Sequence, residues 1–306
     1  METVLITGGN GLIGQKLMLK LKAQGYRVAV LTRNEAADIA KDQYYWNPDQ
    51  NIIDQKATDT VDYIIHLAGA PIGEKRWTAK RKQEIIDSRV KSAQLIFNSI
   101  QNNHTPLKAF ISSSATGYYG AVTHDHIFME SDPPASDFLG ETCRQWEEAA
   151  LQFENEGIRT VIIRTAVVLT SQGGALGKMT PLVRLGIVSP LGSGKQYLPW
   201  IHIDDICDMY VKAVMDTELS GIFNAAAPEH SDYNQFYRSL TRAMKKALWM
   251  PRVPAFILKL VFGEMSLMLL EGSRVSSEKI RQAGFHFRFT ELLGALDNLL
   301  NNNNSK

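Results

Sequence analysis

The apolar positions in the first half of the chain follow two spacings. Short runs of consecutive apolar residues predict strands, and runs at three- and four-residue spacing predict the helices between them. The predicted strands are 4–7, 27–32, 63–67, 109–113 and 160–165, and the predicted helices are 11–24 and 79–102. Strands separated by helices indicate βαβ units, and therefore a parallel sheet covered on both sides. Between residues 33 and 62 this alternation is lost, so any second crossover helix there must be short.

The regular alternation ends after about residue 173. Glycine-rich connections lead into predicted helices at 204–215, 233–246 and 291–300 and a strand at 222–225. The sequence therefore predicts an α/β protein: a doubly wound parallel sheet with a smaller C-terminal α/β lobe. We expect residues 1–172, with contributions from about 195–228, to form the sheet domain, and residues 173–300 to form mainly the lobe. The Asn-rich tail, 301–306, is expected to be disordered.

A glycine-rich turn joins the first predicted strand to the first predicted helix. Gly8, Gly11 and Gly14 form a G-x-x-G-x-x-G sequence directly after the strand. In a Rossmann-type dinucleotide-binding fold, such glycines permit the tight turn, the approach of a pyrophosphate and the close packing of helix on strand, while the helix N-terminus offers N–H donors. The alternative is an ordinary strand-to-helix turn. The sequence predicts a dinucleotide site with contacts from Gly8, Asn10, Gly11, Leu12, Ile13 and Gly14.

The end of the second predicted strand indicates which dinucleotide is bound. An NAD site places Asp or Glu about 20 residues beyond the glycine loop, where it accepts hydrogen bonds from the ribose 2′-hydroxyl. This chain instead has Thr32 and Arg33 at that point, followed by Asn34. A guanidinium binds a 2′-phosphate through two parallel hydrogen bonds, whereas a carboxylate would repel it. NADP is therefore the predicted cofactor. The alternative is a solvated surface Arg33, because Glu35 follows it.

Composition and charge narrow the classes of function. The 306 residues are 44% hydrophobic and 21% charged, and 33 basic residues against 32 acidic ones give a net charge of +1. That balance, with no local basic patch, speaks against a nucleic-acid partner. Residues 254–270 are the most apolar stretch, but Lys259, Gly263 and Glu264 interrupt it, so no membrane partner is expected. The 2 cysteines lack metal or redox spacing, so we predict no metal site and expect a soluble, cytoplasmic protein.

Motifs after the next two predicted strands resemble those of a known group of proteins. With Leu67-Ala68-Gly69 and Ser112-Ser113-Ser114-Ala115-Thr116, the glycine loop resembles the extended short-chain dehydrogenase/reductases, which include the nucleotide-sugar epimerases. Further segments resemble one epimerase-like family of uncertain activity that carries a distinctive C-terminal domain. These segments are Arg76-Trp77, 88–90, 199–205 (Pro-Trp-Ile-His-Ile-Asp-Asp), and Leu270-Glu271-Gly272 with Gly284-Phe285.

This resemblance implies a Rossmann fold and NADP as the cofactor. It assigns the adenosine-phosphate contacts to Thr32 and Arg33 and the approach to the nicotinamide to Val168. The remaining cofactor contacts that the resemblance implies are Leu67, Ala68, Gly69, Glu84 and Arg89. For Glu84 and Arg89 the alternative is an exposed pair on the long helix, although their separation is not ideal for a salt bridge.

The catalytic pair of the superfamily is absent from this chain. Most members use a Tyr and a Lys four positions later on one helix, where the Lys lowers the pKa of the phenol, and a nearby Ser orients the substrate. The equivalent helix is expected to begin near 137–144 (DFLGETCR), which contains neither residue. Candidate substitutes are Ser114, Tyr119 and Glu141. The alternative for Ser114 is a strand-end hydroxyl bonded to backbone. The alternative for Tyr119 is a packed aromatic ring, and for Glu141 it is a residue that complements the helix dipole.

Substrate contacts are predicted from Tyr118, Trp200 and His202, near the carboxyl edge of the sheet. For His202 the alternative is a histidine with satisfied hydrogen bonds, and Asp204-Asp205 also fits the acidic first turn of a helix. The sequence thus predicts an NADP-dependent oxidoreductase or epimerase-like enzyme that acts on a small polar substrate, with nucleotide sugars among the candidates. The alternative is an NADP-binding protein without turnover, in a redox-sensing or regulatory role. Relatives pair through long helices, which makes the 79–102 helix a candidate homodimer face.

Overall fold

A computed structural model describes residues 1–247 and 251–301 of the chain. Its strands are β1 (Thr3–Thr7), β2 (Arg27–Thr32), β3 (Gln43–Asn47), β4 (Ile52–Ile53), β5 (Tyr63–His66), β6 (Ala109–Ala115), β7 (Ile127–Phe128), β8 (Arg159–Thr165), β9 (Val167–Leu169), β10 (Trp200–His202), β11 (Gly221–Ala225) and β12 (Arg274–Val275). Its helices are α1 (Leu12–Ala23), α2 (Ala79–Asn103), α3 (Phe138–Asn155), α4 (Gly174–Arg184), α5 (Ile203–Met215), α6 (Tyr233–Ala243), α7 (Ala255–Phe262), α8 (Leu267–Leu270), α9 (Glu278–Gln282) and α10 (Leu292–Asn301).

One large sheet has the strand order β11-β8-β6-β5-β1-β2-β3-β4. Neighbouring strands are parallel except β3 and β4, which are antiparallel. The chain passes from β1 outward through β2 and β3 on one side, and returns to the other side of β1 for β5, β6 and β8, so the strand order reverses at β1. Ligands bind in the crevice that opens at the carboxyl ends of the strands at such a reversal. The predicted doubly wound, Rossmann-type sheet is confirmed.

The sheet is buried on both faces, and this explains its sequence pattern. One face packs against α1 and α5, with Leu17 and Ile206 in that core, and the opposite face packs against α2 and α3, with Ile96 and Phe153. Consecutive residues of a central strand alternate between the two cores. Each parallel strand therefore needs apolar side chains at successive positions, which is the signal that predicted it.

The predicted boundaries lie within three residues of the observed ones, but three strand pairs were missed: β3 with β4, β9 with β10, and β7 with β12. The segment 33–62, predicted to be irregular, contains β3 and β4, and its crossover is a single 3₁₀ turn at Ile39–Lys41. On β3, Tyr44 and Trp46 are buried and alternate with half-buried residues, which is an edge-strand pattern rather than a continuous apolar run. The second missed pair is β9 and β10, which are parallel neighbours far apart in sequence.

The prediction that the tail is disordered from residue 301 is wrong for Asn301 itself, which is helical. Asn301 is the last residue of α10, and its side-chain amide donates to the carbonyl oxygen of Ala243 at 3.2 Å. Residues 302–306 lie outside the described residues, so the expectation of disorder stays a prediction for them.

The C-terminal elements are fastened to the sheet domain by a small separate core. Trp77 and Ile85, before and on α2, pack with Met265, and Lys82 forms an ion pair of 2.6 Å with Glu264. These contacts connect the segment after α7 to the segment that follows β5, across the carboxyl end of the sheet. The division of the chain into domains near residue 172 stays a prediction.

Two surface findings bear on partners. Among the described helices, none is long and apolar enough to cross a membrane. On α2, the candidate dimer helix, no described side chain is a large apolar residue exposed to solvent. Homodimer interfaces are usually apolar at their centre. The homodimer therefore stays a prediction, and this helix offers it little apolar surface.

Candidate functional site

The glycine loop after β1 folds as a tight turn that leaves the start of α1 uncapped. Gly8 has a φ of 68°, and the N–H of Gly11 donates to its carbonyl oxygen at 2.9 Å. A Cβ at Gly14 would lie only 2.5 Å from that same oxygen. No side chain caps α1 at Gly11, and its first turn holds no acidic residue. The first N–H groups of the helix are therefore available to an anion, and the geometry fits the pyrophosphate of a dinucleotide.

A buried hydrogen-bond chain fixes the neighbouring loop after β5. The Thr7 hydroxyl accepts from the backbone N–H groups of Leu67 and Ala68, at 3.1 and 3.0 Å, and lies 2.8 Å from Nδ1 of His66. Its own proton must therefore point to Nδ1, so His66 carries its proton on Nε2, which lies 3.1 Å from the Ser92 hydroxyl. Burial lowers the pKa of His66 to about 4, which keeps it neutral. The predicted contacts Leu67 and Ala68 are thus held in place beside the glycine loop.

The predicted contacts Gly69, Glu84 and Arg89 do not act as one group. A Cβ at Gly69 would lie 3.0 Å from the guanidinium carbon of Arg89, which donates to the carbonyl oxygens of Ala70 and Ile85. Burial lowers the pKa of Arg89 to about 10. Glu84 is exposed and forms an ion pair with Arg81 at 2.9 Å, which lowers the pKa of Glu84. The alternative of an exposed Glu84–Arg89 pair is therefore wrong, since Arg89 is packed against the backbone of the loop after β5.

A cleft of about 240 Å³ opens between the glycine loop and the end of β2. Thr32 and Asn34 line it, as does Asn10 from the glycine loop, and no carboxylate is among its lining residues. Arg33 is exposed and is not one of the lining side chains. Sequence reasoning missed two cations on the cleft: Lys22 from α1 and Lys41 from the 3₁₀ turn before β3. Lys41 was out of reach because the segment carrying it was predicted to be irregular.

The other side of the site is formed where α4 begins. A Cβ at Gly173 would lie 3.2 Å from the Leu12 side chain, and a Cβ at Gly174 would lie 3.7 Å from the carbonyl oxygen of Val168. Leu12, on the first turn of α1, and Val168, on β9, are therefore brought together around these two glycines. A predicted pyrophosphate contact, Leu12, and the predicted nicotinamide contact, Val168, thus lie close together beside the glycine loop.

A buried ion pair lies at the position where catalysis was predicted. Ser114, at the end of β6, donates to a carboxylate oxygen of Glu147 at 2.6 Å. The same carboxylate accepts from Nε and Nη2 of Arg164, both at 2.8 Å, and the two side chains are 5% and 1% exposed. Ser114 therefore gives its proton to Glu147 and can only accept from another ligand. Sequence reasoning missed this ion pair. Two signals could have indicated it: an acidic residue within the apolar face of α3, Glu147, and an arginine within the apolar strand β8, Arg164.

The two neighbouring tyrosines differ in what their hydroxyls can do. The Tyr119 hydroxyl donates to the Asn224 side chain at 2.7 Å and accepts from Nη1 of Arg164 at 2.9 Å, and the residue is 1% exposed. Burial raises the pKa of Tyr119, so it is a packed, fully bonded phenol rather than the predicted proton donor. Tyr118 is half-buried, and the guanidinium carbon of Arg164 lies 3.4 Å from its ring centroid. Burial raises the pKa of Tyr118, and Arg164 opposes this effect.

Glu141 and the cysteines are not suited to acid–base or nucleophilic chemistry. Glu141 accepts two hydrogen bonds from the Arg144 guanidinium and one from Gln145, which lowers the pKa of Glu141 to about 2. It therefore stays ionised near neutral pH, and its prediction as an acid is corrected to a surface ion pair. Burial raises the pKa of both Cys143 and Cys207 to about 12, so both remain thiols.

Trp200 and His202, predicted to bind substrate, have structural roles instead. Both are fully buried. Nδ1 of His202 accepts from the N–H of Asp204 and so caps α5, and its ring stacks on Phe289 with 3.8 Å between centroids. Burial lowers the pKa of His202 to about 4. Asp205, in the same motif, accepts from backbone N–H groups at 288 and 289. The alternative of an acidic first turn is what the structure has at Asp204 and Asp205. The alternative of a satisfied histidine holds only for Nδ1 of His202, since its Nε2 and the Nε1 of Trp200 are buried without a hydrogen-bond partner among the described residues.

The fold and the crevice together define a class: the extended short-chain dehydrogenase/reductases. Comparison with known sequences agrees, since residues 4–226 match the NAD dependent epimerase/dehydratase family and residues 253–299 match a domain of unknown function, DUF1731. The chain belongs to this epimerase/dehydratase family and carries that C-terminal domain.

Relatives extend over the whole chain. An epimerase family protein of Staphylococcus aureus is 34% identical over 98% of this chain and 99% of its own length. A chloroplastic epimerase family protein SDR39U1 homolog of Arabidopsis thaliana is 32% identical over 96% of this chain and 85% of its own. The crystal structure of human epimerase family protein SDR39U1 (isoform 2) with NADPH is similar, with a TM-score of 0.89, 30% identity, and coverage of 98% of this chain and 99% of that one.

Proposed function

We propose that the protein binds NADP(H) in preference to NAD(H). The observation that carries this proposal is the cleft at the end of β2, which presents Lys22 and Lys41 and no carboxylate. The ion pair of Lys41 with Asp38, 3.1 Å long, is largely exposed and weak, so its ammonium group can turn to a phosphate. Arg33 is exposed and follows Thr32, which lines the cleft, so it would supply a third cation. The human relative crystallised with NADPH supports the same choice.

Calorimetry on coenzyme-free protein tests the preference directly. We expect NADP to bind more tightly than NAD. Arg33→Asp and Lys41→Glu should each weaken NADP binding by about tenfold or more, because each removes a charge-assisted contact. Both variants should leave NAD binding within about threefold, because NAD lacks the 2′-phosphate. Lys246→Glu, at an exposed lysine three residues after the end of α6, is the control for net charge. Equal weakening of both coenzymes, or no heat with either one, would contradict the proposal.

We further propose an NADP-dependent oxidoreductase or epimerase-like activity on a small polar substrate. A nicotinamide bound in the crevice would exchange a hydride with the substrate carbon. Tyr118 is then the proton donor or acceptor for the substrate oxygen, since it is half-buried, whereas the Tyr119 hydroxyl is buried and bonded to Asn224 and Arg164. The Arg164 guanidinium under its ring stabilises the phenolate that donation leaves behind. This arrangement would stand in for the absent Tyr and Lys pair.

A binding protein without turnover is the second candidate. It is favoured by the ion pair that holds Ser114 and by the burial of Tyr119, which leave two of the predicted catalytic groups engaged. A panel of carbonyl compounds and nucleotide sugars, each mixed with NADPH or NADP, separates the two candidates. A substrate-dependent change in the reduced-nicotinamide absorbance that is lost in Tyr118→Phe supports the enzyme. Tight NADP binding with no change across the panel supports the regulatory protein.

A further inference from the structure

Helix α7 is apolar on every side and yet lies on the surface. Its sequence, Ala-Phe-Ile-Leu-Lys-Leu-Val-Phe, contains one polar residue, and Leu258 is its one buried side chain. The side chains of Phe256, Leu260 and Val261 are 70%, 76% and 53% exposed. A helix with apolar residues all round is normally buried in a core or in lipid. An exposed apolar surface of this kind usually marks a contact site.

The helix is held at both ends, so its exposure is not fraying. Before the helix, the backbone N–H of Val253 donates to the carbonyl oxygen of Pro190 at 2.9 Å, and its carbonyl oxygen accepts from the N–H of Gly192 at 3.0 Å. After it, Phe262 packs against the small core of Trp77 and Met265. The protein therefore presents α7 outward on a rigid support.

The chain around α7 is positively charged. Residues 233–263 contain six Lys or Arg residues and no Asp or Glu. Arg252 donates to the Ser193 carbonyl and the Asn234 side chain, which are neutral acceptors, and Lys259 is exposed on α7 itself. The first acid that follows, Glu264, is paired with Lys82. Arg252 and Lys259 therefore flank the exposed apolar residues of α7, and neither forms an ion pair with a described carboxylate.

This combination identifies one kind of occupant. A small-molecule site is concave and encloses its ligand, whereas the side chains of α7 project outward. A second copy of the chain would bring the Lys259 residues of both copies together, and an eight-residue helix, about 12 Å long, buries far less than the ~800 Å² per partner of a stable interface. A lipid surface needs only that apolar side chains insert to the depth of the headgroups while cations meet anionic lipid.

We propose that α7 docks the protein on an anionic membrane surface. Phe256, Leu260 and Val261 insert among the headgroups, and Lys259 with Arg252 contacts the lipid phosphates. The expectation of no membrane partner rested on a segment too short to span a bilayer; a helix that lies along the surface does not need to span it. The proposal is independent of the proposed NADP chemistry.

Sedimentation of the full chain with vesicles tests the proposal. Wild-type protein should bind vesicles that contain phosphatidylglycerol, bind phosphatidylcholine vesicles weakly, and lose binding as salt rises. Phe256→Ser combined with Leu260→Ser should lower the partition coefficient by about tenfold or more, and Lys259→Glu should lower it mainly on the anionic vesicles. Leu19→Ser is the matched control, because Leu19 is 70% exposed on α1. The far-UV circular dichroism and urea midpoint of each variant check that it is folded.

Three outcomes would overturn the proposal. One is wild-type protein that stays in the supernatant with anionic vesicles. Another is a Phe256→Ser and Leu260→Ser variant that binds as well as the Leu19→Ser control. The third is a concentration-dependent dimer in analytical centrifugation that the same double variant abolishes, which would assign the helix to self-association.

Discussion

Replacing Glu147 by Gln should destabilise the protein strongly, because it leaves the Arg164 charge buried without a counter-charge. The carboxylate accepts three hydrogen bonds, from Ser114 and from two nitrogens of the guanidinium. Both charged side chains are nearly inaccessible, at 5% and 1% exposure, so water cannot replace the lost contacts. Breaking a buried ion pair by removing one partner costs about 3–5 kcal/mol. For a chain of this size we expect Tm to fall by roughly 5–8 °C.

A double-mutant cycle separates the pair from general damage to the core. Arg164→Met alone should also be costly, since it leaves the carboxylate buried without its partner. The combined variant should cost much less than the sum, with a coupling of at least about 2 kcal/mol, because the second change removes the charge that the first left unpaired. Urea unfolding followed by tryptophan fluorescence gives the three free energies. Glu148→Gln, an exposed neighbour on α3, is the control and should cost less than about 0.5 kcal/mol.

Additive costs in this cycle would refute the reasoning. Coupling below about 0.5 kcal/mol is what independent sites show. A result of that kind would mean that Glu147 and Arg164 do not share one hydrogen-bonded unit. The position of Ser114 would then need another explanation.

Four further predictions test the site and the fold around it. Gly14→Ala should weaken NADP binding by about tenfold or more in calorimetry, because its Cβ would lie 2.5 Å from the carbonyl oxygen of the first loop glycine. Gly294→Ala, with open space around its Cβ inside α10, should instead stabilise the protein by roughly 0.5–1 kcal/mol. Because burial lowers the folded pKa of His66 to about 4, the unfolded chain binds the proton first, so stability is lost as pH falls from about 6.5 to 4, by up to about 3 kcal/mol. Urea titrations of His66→Gln should lack that part of the pH dependence, and an unchanged slope would contradict it. Tyr119→Phe should cost roughly 1–2 kcal/mol of stability, since it leaves buried partners unbonded, whereas Tyr118→Phe should cost less in unfolding and abolish any turnover.

The sheet could be predicted from the sequence because burial on both faces leaves a continuous apolar run in each central strand. Strand β3, the second from one edge of the sheet, carries no such run: Tyr44 and Trp46 alternate with polar or half-exposed positions, and a turn follows at Pro48. The β9–β10 pair could not be predicted either, because its hydrogen bonds join residues more than 30 positions apart, and a three-residue strand has no period of its own.

The phosphate end of the site could be predicted better than the catalytic end. Glycines are required by backbone geometry, so the loop at Gly8, Gly11 and Gly14 is directly visible in the sequence. The cations of the cleft depend on which elements the sheet brings together, and Lys41 reaches it only because β3 joins β2. Substrate binding was predicted for His202 and Trp200 from residue type alone. In the structure His202 caps α5 and Trp200 packs in the core.

The direction of the Ser114 hydrogen bond constrains any chemistry at this edge of the sheet. Its proton is committed to Glu147, whose charge is in turn fixed by Arg164, so the hydroxyl has only lone pairs to offer a substrate. A carbonyl oxygen needs a donor and gains nothing from Ser114 in this state, whereas a substrate hydroxyl can donate to it. Tyr118 keeps its proton and would be the donor for a carbonyl. An alcohol substrate would be oriented by Ser114 and a carbonyl by Tyr118. Oxidation and reduction share one transition state, so Ser114→Ala must change kcat/KM by the same factor in both directions, and the loss of its lone pairs should appear as a larger rise in KM for the alcohol than in KM for the carbonyl. Equal changes in the two KM values would contradict this division of roles.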